Sequence, residues 1–238
     1  MLGRHLVPEL VARSHDVLTF SRHAPHVDGA VESLTGDIRD RERVTAAFAG
    51  ADVVLHAATN ARRGARKVEV EGTRNVVKAA IATGAHLVYV SIVGVDRHRF
   101  PYYKAKWQAE RLIERSKCRW TIQRATQFHD LLEMFLGMPA FIRTPNLAFQ
   151  VIDAGEVARR LVDLAEGAPK GRVADLGGPE VVPIQTLAAV RHDATGRRSR
   201  LVRVPRVGFL RDFDDGTHLC PDHRDGQITW EHWLRENG

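Results

Sequence analysis

An α/β fold organised on a parallel sheet is predicted by three observations along this 238-residue chain. Short β-branched and apolar runs alternate with stretches of helical apolar spacing from residue 4 to residue 125. Two of those runs, Ala51-Asp52-Val53-Val54-Leu55-His56-Ala57-Ala58 and His86-Leu87-Val88-Tyr89-Val90-Ser91, are nearly continuous in apolar character, as in strands covered on both faces. Turn residues fall where connections are needed, at Gly36-Asp37, Gly50 and Thr83-Gly84. Strands and helices alternating at this spacing imply βαβ units with right-handed crossovers.

Each element has its own justification. Leu6, Val7 and Leu10 give residues 4–13 a helical spacing, and Pro8 is tolerable in a first turn. Residues 16–20 read as a strand that ends at Ser21-Arg22-His23-Ala24-Pro25, and residues 30–34 as a weaker strand. A helix over 41–49 stops at Gly50. The strand at 51–58 leads to a helix over 68–82, the strand at 86–91 to a helix over 102–115, and a further strand spans 120–124. Past residue 125 the rhythm loosens. An apolar piece at 149–152 precedes a helix over 154–166, a strand at 172–176 closes at Gly177-Gly178-Pro179, and a helix covers 184–194. A short strand at 201–204 and a docking helix carrying Trp230, Trp233 and Leu234 complete the chain. The division expected is a core over 1–125 and a pocket-forming region over 126–238, packed as one structural unit.

Composition narrows the class. The hydrophobic share of 44% is ordinary for a globular protein, and no apolar run reaches the length that spans a bilayer. The N-terminus lacks the apolar stretch of a signal peptide. Cys118 and Cys220 form no CxxC pair, so free thiols in a reducing cytoplasm are expected. The formal charge of +6 comes from arginines scattered among acids, densest at Arg62-Arg63-Gly64-Ala65-Arg66-Lys67. A solvated surface or attraction for an anionic cofactor explains it better than nucleic acid, and neither nucleic acid nor membrane is an expected partner.

The start of the chain reads as the end of a glycine-rich phosphate loop. Met1-Leu2-Gly3-Arg4-His5-Leu6 runs into a helix, and Gly3 stands where the third glycine of a dinucleotide-binding loop lets helix and strand pack closely. The expectation is a Rossmann-like, doubly wound parallel sheet that lacks its first strand, with a small C-terminal substrate lobe. Losing about six buried residues at ~1.5–3 kcal/mol each removes on the order of 10 kcal/mol. A whole domain has about 5–15 kcal/mol. A start upstream of Met1 is the favoured explanation and a truncated relic the other, and this 238-residue form is expected to bind NADPH poorly.

Several segments, taken together in order, carry a resemblance. They are Leu2-Gly3-Arg4-His5-Leu6-Val7, Gly36-Asp37-Ile38-Arg39-Asp40, Val54-Leu55-His56-Ala57-Ala58-Thr59 and Glu71-Gly72-Thr73-Arg74-Asn75-Val76. Val88-Tyr89-Val90-Ser91, Pro101-Tyr102-Tyr103-Lys104-Ala105-Lys106 and Arg124-Ala125-Thr126-Gln127-Phe128 follow. Over nearly its whole length the chain resembles the atypical, NmrA-like short-chain dehydrogenase/reductases, which bind NAD(P). The resemblance implies a cytoplasmic oxidoreductase moving hydride to or from a small carbonyl, alcohol or enone. Two rivals stand beside it: a non-catalytic NAD(P) redox sensor, and an inactive truncated relative.

The resemblance also implies site residues. Gly3 would belong to the phosphate loop. Arg22 ends the second strand of such a fold, where a guanidinium accepts a 2′-phosphate and an acid would bind the ribose hydroxyl, so NADP(H) is favoured over NAD(H). A plain surface arginine is the alternative. Asp37 and Ile38 would flank the adenine, or Asp37 would merely cap the next helix. Ala57, Ala58 and Thr59 would let the dinucleotide cross the sheet edge, and His56 is read as a core histidine. Ser91, Tyr102 and Lys106 form the catalytic constellation: Tyr102 and Lys106 share a helix face, and a phenol titrating near 10 needs a cation beside it to work near neutrality. Tyr103 offers a second register for the tyrosine. Gln127, Phe128 and His129 would face nicotinamide and substrate. His218, Cys220 and His223 lack a second ligand pair, so no metal is expected. A small-molecule substrate and a homodimer are the partners expected.

Overall fold

The structure, a computed structural model, describes residues 1–22, 31–61 and 64–238. Residues 23–25 of the expected loop, and Arg62 and Arg63 of the basic cluster, lie outside them. The elements run α1 (Gly3–Ala12), β1 (Val17–Ser21), β2 (Val31–Thr35), α2 (Arg41–Ala47), β3 (Val53–His56), a π-helical segment Lys67–Gly72, and α3 (Thr73–Thr83). Then come β4 (His86–Ile92), α4 (Pro101–Glu114), β5 (Arg119–Ala125), α5 (His129–Leu136), β6 (Phe141–Arg143) and β7 (Ala148–Phe149). α6 (Ala154–Glu166), β8 (Gly171–Arg172), β9 (Val182–Pro183), α7 (Ile184–Thr195), β10 (Leu201–Arg203), α8 (Leu210–Asp214) and α9 (Trp230–Asn237) complete the order. Among the described residues no helix is long and apolar enough to cross a membrane.

The chain forms two units and passes between them more than once. The first comprises Met1–Ser91, Lys104–Gln123 and Ala158–Val173. Its main sheet has the order β3-β4-β5-β8, and a separate parallel pair joins β1 to β2 with Val17 opposite Val31. β3 runs parallel to β4 with Val53 opposite His86, and β5 parallel to β8 with Thr121 opposite Gly171. This is the expected α/β architecture of parallel strands and helices. Ile38, Val44, Val76, Ala80, Leu87, Tyr89, Ile113 and Ile122 pack as its core. Gly84, at φ 74°, ends α3 in the left-handed conformation that glycine adopts without a Cβ penalty. Arg13, after α1, pairs with Asp163 at 2.7 Å and Glu166 at 2.9 Å of α6.

The second unit comprises Ile92–Tyr103, Arg124–Val157 and Ala174–Gly238. Its core joins α5, α7 and α9 through Leu132, Leu136, Leu187, Trp230, Trp233 and Leu234. Small ladders connect β6 with β10 in parallel and β7 with β9 in antiparallel orientation. Gln150 is its polar staple. The buried amide donates to the carbonyls of Gly178 at 2.9 Å and His223 at 2.7 Å, and accepts from Cys220 N at 2.9 Å. A Cβ at Gly178 would lie 1.7 Å from the Val151 carbonyl, so this crossing requires glycine. The His218-x-Cys220-x-x-His223 segment is thus held by its main chain.

Two expected elements come out differently. The helix over 68–82 opens as a π-helix, whose extra residue per turn carries Glu69, Val70 and Gly72 onto the buried side. The strand over 172–176 contracts to Gly171–Arg172 plus one bridge between Leu176 and Ala125.

Candidate functional site

In the first unit the candidate cofactor residues sit at carboxyl ends of parallel strands and at the start of α1, where open α/β sheets take ligands. Among the described residues no side chain caps α1, and its first turn holds no acid. A Cβ on Gly3 would meet nothing within 4 Å, so among the described residues close helix–strand packing is not what requires glycine here. At this helix start Arg4 N bonds to the Met1 carbonyl at 3.3 Å and His5 N to the Leu2 carbonyl at 3.0 Å.

Arg22 is exposed just past β1. Asp37, past β2, accepts from Arg39 N at 2.9 Å, Arg39 Nε at 3.0 Å and Arg39 Nη2 at 2.6 Å. Those bonds, and then the charge of Arg22, hold its carboxyl below the usual range. Asp37 therefore does not cap α2. That role belongs to Asp40, which accepts from Arg43 N at 3.2 Å. Ile38 is buried, and a Cβ at Gly72 would lie 2.4 Å from its Cδ1. Asn75 donates to the carbonyls of Ile38 and Arg39, each at 3.0 Å. Gly72 and Asn75 thus shape the Asp37–Ile38 loop from the other side.

Beyond β3, Ala57 and Ala58 are half-buried and Thr59 is exposed. His56 is a core residue as expected: its Nε2 meets Thr73 Oγ1 at 2.9 Å, and burial, with the Lys106 charge, pushes its pKa down to about 3. Ser91 is buried at the end of β4, its Oγ without a hydrogen-bond partner among the described residues.

Lys106 is the polar centre of this unit. It is buried on α4, donates to the Val90 carbonyl at 2.8 Å, and stands 3.6 Å from Glu69 Oε2 and 4.3 Å above the Tyr89 ring. Burial lowers its pKa, and Glu69 and Glu110 oppose that shift. Glu69 is the residue sequence reasoning missed. Fully buried, it accepts from Thr59 Oγ1 at 2.5 Å and Asn60 N at 2.9 Å, tying the end of β3 to the lysine. Its one sequence signal was an acid between Val68 and Val70.

In the second unit the two tyrosines separate. Tyr102 is half-buried, whereas Tyr103 is buried with its hydroxyl accepting from Gln127 Nε2 at 3.0 Å. Burial raises the Tyr103 phenol well above its ordinary value, so it stays neutral. Gln127 is itself buried, and its Oε1 has no partner among the described residues. Phe128, half-buried, forms a bridge with Ile152 ahead of α5.

His129, expected toward the substrate, packs among core side chains. It is fully buried, stacked on Trp230 at 5.8 Å and tilted against Trp233 at 5.7 Å. Burial pushes its pKa down to about 4, so it is a neutral core residue.

Comparison with known proteins gives the family. The family model described as NAD(P)H-binding matches residues 1–166. An uncharacterized protein of Mycobacterium tuberculosis is 37% identical over 93 residues, which cover 38% of this chain and 11% of that protein. Human 3 beta-hydroxysteroid dehydrogenase type 7 is 32% identical over 124 residues, covering 43% of this chain and 34% of the enzyme. The chain thus matches 11% and 34% of the length of these two relatives. A short-chain dehydrogenase/reductase superfamily protein from Agrobacterium tumefaciens, solved with bound NAD, superimposes with a TM-score of 0.74 at 20% identity. That superposition covers 99% of this chain and 92% of the other.

The chain belongs to the NAD(P)H-binding family, and its fold is that of the short-chain dehydrogenase/reductase on which it superimposes. The first unit fits the dinucleotide. A first helical turn without acids suits a pyrophosphate, and small residues past β3 leave room over the sheet edge.

Proposed function

We propose that the protein is an NADP(H)-dependent oxidoreductase that moves hydride to or from a small carbonyl, alcohol or enone. One observation carries this reading: Lys106 is buried with its ammonium fixed by Val90 and Glu69, on the helix that also presents Tyr102. A lysine held in one place is what a dinucleotide ribose and a proton-transferring phenol require. Tyr102 gives or takes the proton at the substrate oxygen, and Ser91, whose hydroxyl lacks a partner among the described residues, orients that oxygen. The nicotinamide supplies or accepts the hydride when bound. Gly3, Asp37, Ile38, Ala57, Ala58 and Thr59 line the dinucleotide, Gln127 and Phe128 lie toward the substrate, and Arg22 takes the 2′-phosphate of NADP(H). The setting proposed is the cytoplasm, with a small molecule as partner, a homodimer as assembly, and no role for nucleic acid or membrane.

A sensor without turnover is the second reading. The fact that favours it is that Lys106 already satisfies its ammonium inside the protein. Titration with NADPH and NADH, followed by NADPH oxidation across a panel of ketones and enones, separates the two. The enzyme reading expects tighter NADPH binding, a preference inverted by Arg22→Asp, and consumption of NADPH with at least one carbonyl. Binding with no consumption across the panel supports the sensor, and no binding of either cofactor contradicts both.

A further inference from the structure

Resting on that oxidoreductase reading, we propose that Asp212 is a positioning residue for Tyr102: it holds the main chain that leads into α4, and so sets where the phenol stands. All the groups concerned lie in the second unit. Arg99 N donates to Asp212 Oδ2 at 2.7 Å. Phe100 N donates to His98 Nδ1 at 3.0 Å. Pro101, the first residue of α4, has no N–H, and its ring fixes φ. Tyr102 follows directly, so the three residues ahead of it are each held before the helix begins.

Asp212 does more than accept that one bond. Its Oδ1 also takes Arg99 Nη2 at 2.6 Å and Arg99 Nε at 3.0 Å, so side chain and main chain of Arg99 are fixed together. Those bonds hold the carboxyl below the usual range. Oδ2 stands 3.8 Å from His98 Nδ1, and the Phe213 ring, next along α8, packs 4.1 Å from that of His98. Burial pushes the His98 pKa down to about 4, so the imidazole is neutral near pH 7 and Nδ1 keeps the lone pair that Phe100 N needs. One short helix thus supports both main-chain bonds.

A second tie lies upstream. Gly94, at φ 79°, brings the backbone so close to Thr217 that a Cβ would lie 2.0 Å from the Thr217 carbonyl oxygen. Arg97 Nη2 donates to the same oxygen at 3.2 Å. The segment from Gly94 to Arg99 is therefore laid along residues 212–217. Asp212 is buried, and a buried carboxylate is costly wherever apolar packing would serve equally. Its bonds run to the turn before the proton donor, where a group fixed ahead of time gains most in proton transfer.

The test is NMR of the full chain labelled with carbon-13 at tyrosine Cζ. The sequence has three tyrosines, so three resonances are expected, and Tyr102→Phe identifies the one of interest. In Asp212→Ala the Tyr102 resonance is expected to move or broaden, while that of Tyr89, in the first unit, stays where the parent has it. Arg99→Ala keeps the main-chain bond to Asp212, and Asp212→Asn keeps an oxygen for it, so both are expected to give a smaller change, again at Tyr102. A Tyr102 resonance unmoved in all three variants overturns the proposal, as does an equal movement of Tyr89, which marks a general loosening. Should Asp212→Ala fail to fold, the two milder variants decide by the same criterion. NADPH oxidation is then followed with a ketone the parent reduces. Asp212→Ala is expected to lose up to about 10²-fold in kcat with NADPH affinity at the parent's value, and a loss confined to NADPH affinity contradicts positioning. A moved Tyr102 with unchanged kcat, or a parent that reduces no ketone, upholds the tie between Asp212 and Tyr102 and contradicts the oxidoreductase reading, so the two ideas fail separately.

Discussion

The strand pair β1–β2 and the ladder β3-β4-β5-β8 are both parallel, yet they are built in opposite ways. β4 and β5 are buried along most of their length, whereas β1 and β2 leave nearly every residue partly or fully open, with Leu18 and Leu34 exposed. Their polar residues follow suit. The main ladder and its helices enclose His56, Glu69 and Lys106, each with a protein partner, while Arg22, Asp37 and Arg39 sit at the edge of the outer pair in contact with water. Buried polar groups are costly unless satisfied, so the first set is rigid. The exposed set can exchange partners cheaply, as cofactor recognition requires. In this account the reacting end is fixed in advance, and the recognition end completes itself on binding.

The largest effect that would sharpen this contrast is at Lys106. Lys106→Ala leaves Glu69 buried and uncompensated, and is expected to cost about 3–5 kcal/mol in denaturant unfolding. Lys106→Met combined with Glu69→Leu removes both charges and should recover most of that loss. Equal stabilities for the single and double variants would show that the pair is not coupled.

Next comes Gly72→Ala, whose methyl must displace the Ile38 side chain from 2.4 Å. A loss of ~1–3 kcal/mol is expected, with weaker cofactor binding because the Asp37–Ile38 loop moves. A variant as stable as the parent would mean that the loop yields freely.

Acid should then weaken the ladder before the outer pair. His56 has a folded pKa of about 3 against 6.5 unfolded, so its contribution is fully present above pH 6.5. As pH falls from 6.5 toward 3 the unfolded chain binds the extra proton, and stability drops by about 1.4 kcal/mol per pH unit. His56→Gln should flatten that part of the profile in thermal unfolding between pH 7 and 5. An unchanged slope would place the acid sensitivity elsewhere, with His129 the next residue to examine. The smallest effect is at the outer pair: Arg39→Ala should leave the unfolding midpoint close to the parent's, because solvent screens the exposed Asp37–Arg39 pair.

Sequence alone showed the parts of the fold that rest on local periodicity. α6 falls at its expected limits because its apolar residues recur at helical spacing over three turns. The π-helical start before α3 was hidden, since one inserted residue shifts the phase without changing composition. Two- and three-residue strands such as β7 and β9 carry too little pattern to be seen. Site residues divide in the same way. Lys106 was legible from its helix position, but no local pattern marks Glu69, because its burial depends on a lysine 37 positions away. His129 read as a loop histidine because the tryptophans that enclose it lie a hundred residues downstream. The choice between Tyr102 and Tyr103 needed the Gln127 contact, which no spacing rule reveals.

That choice also gives the most direct test of the central claim, that Tyr102 supplies the proton from a helix whose lysine is held in place. Tyr102→Phe and Tyr103→Phe are compared with the parent chain by following NADPH oxidation with a ketone the parent reduces. The account predicts that Tyr102→Phe loses about 10²–10⁴-fold in kcat, while Tyr103→Phe, which removes only a buried hydroxyl bonded to Gln127, keeps most of the rate. Full activity in Tyr102→Phe, with the loss falling on Tyr103→Phe, would contradict it.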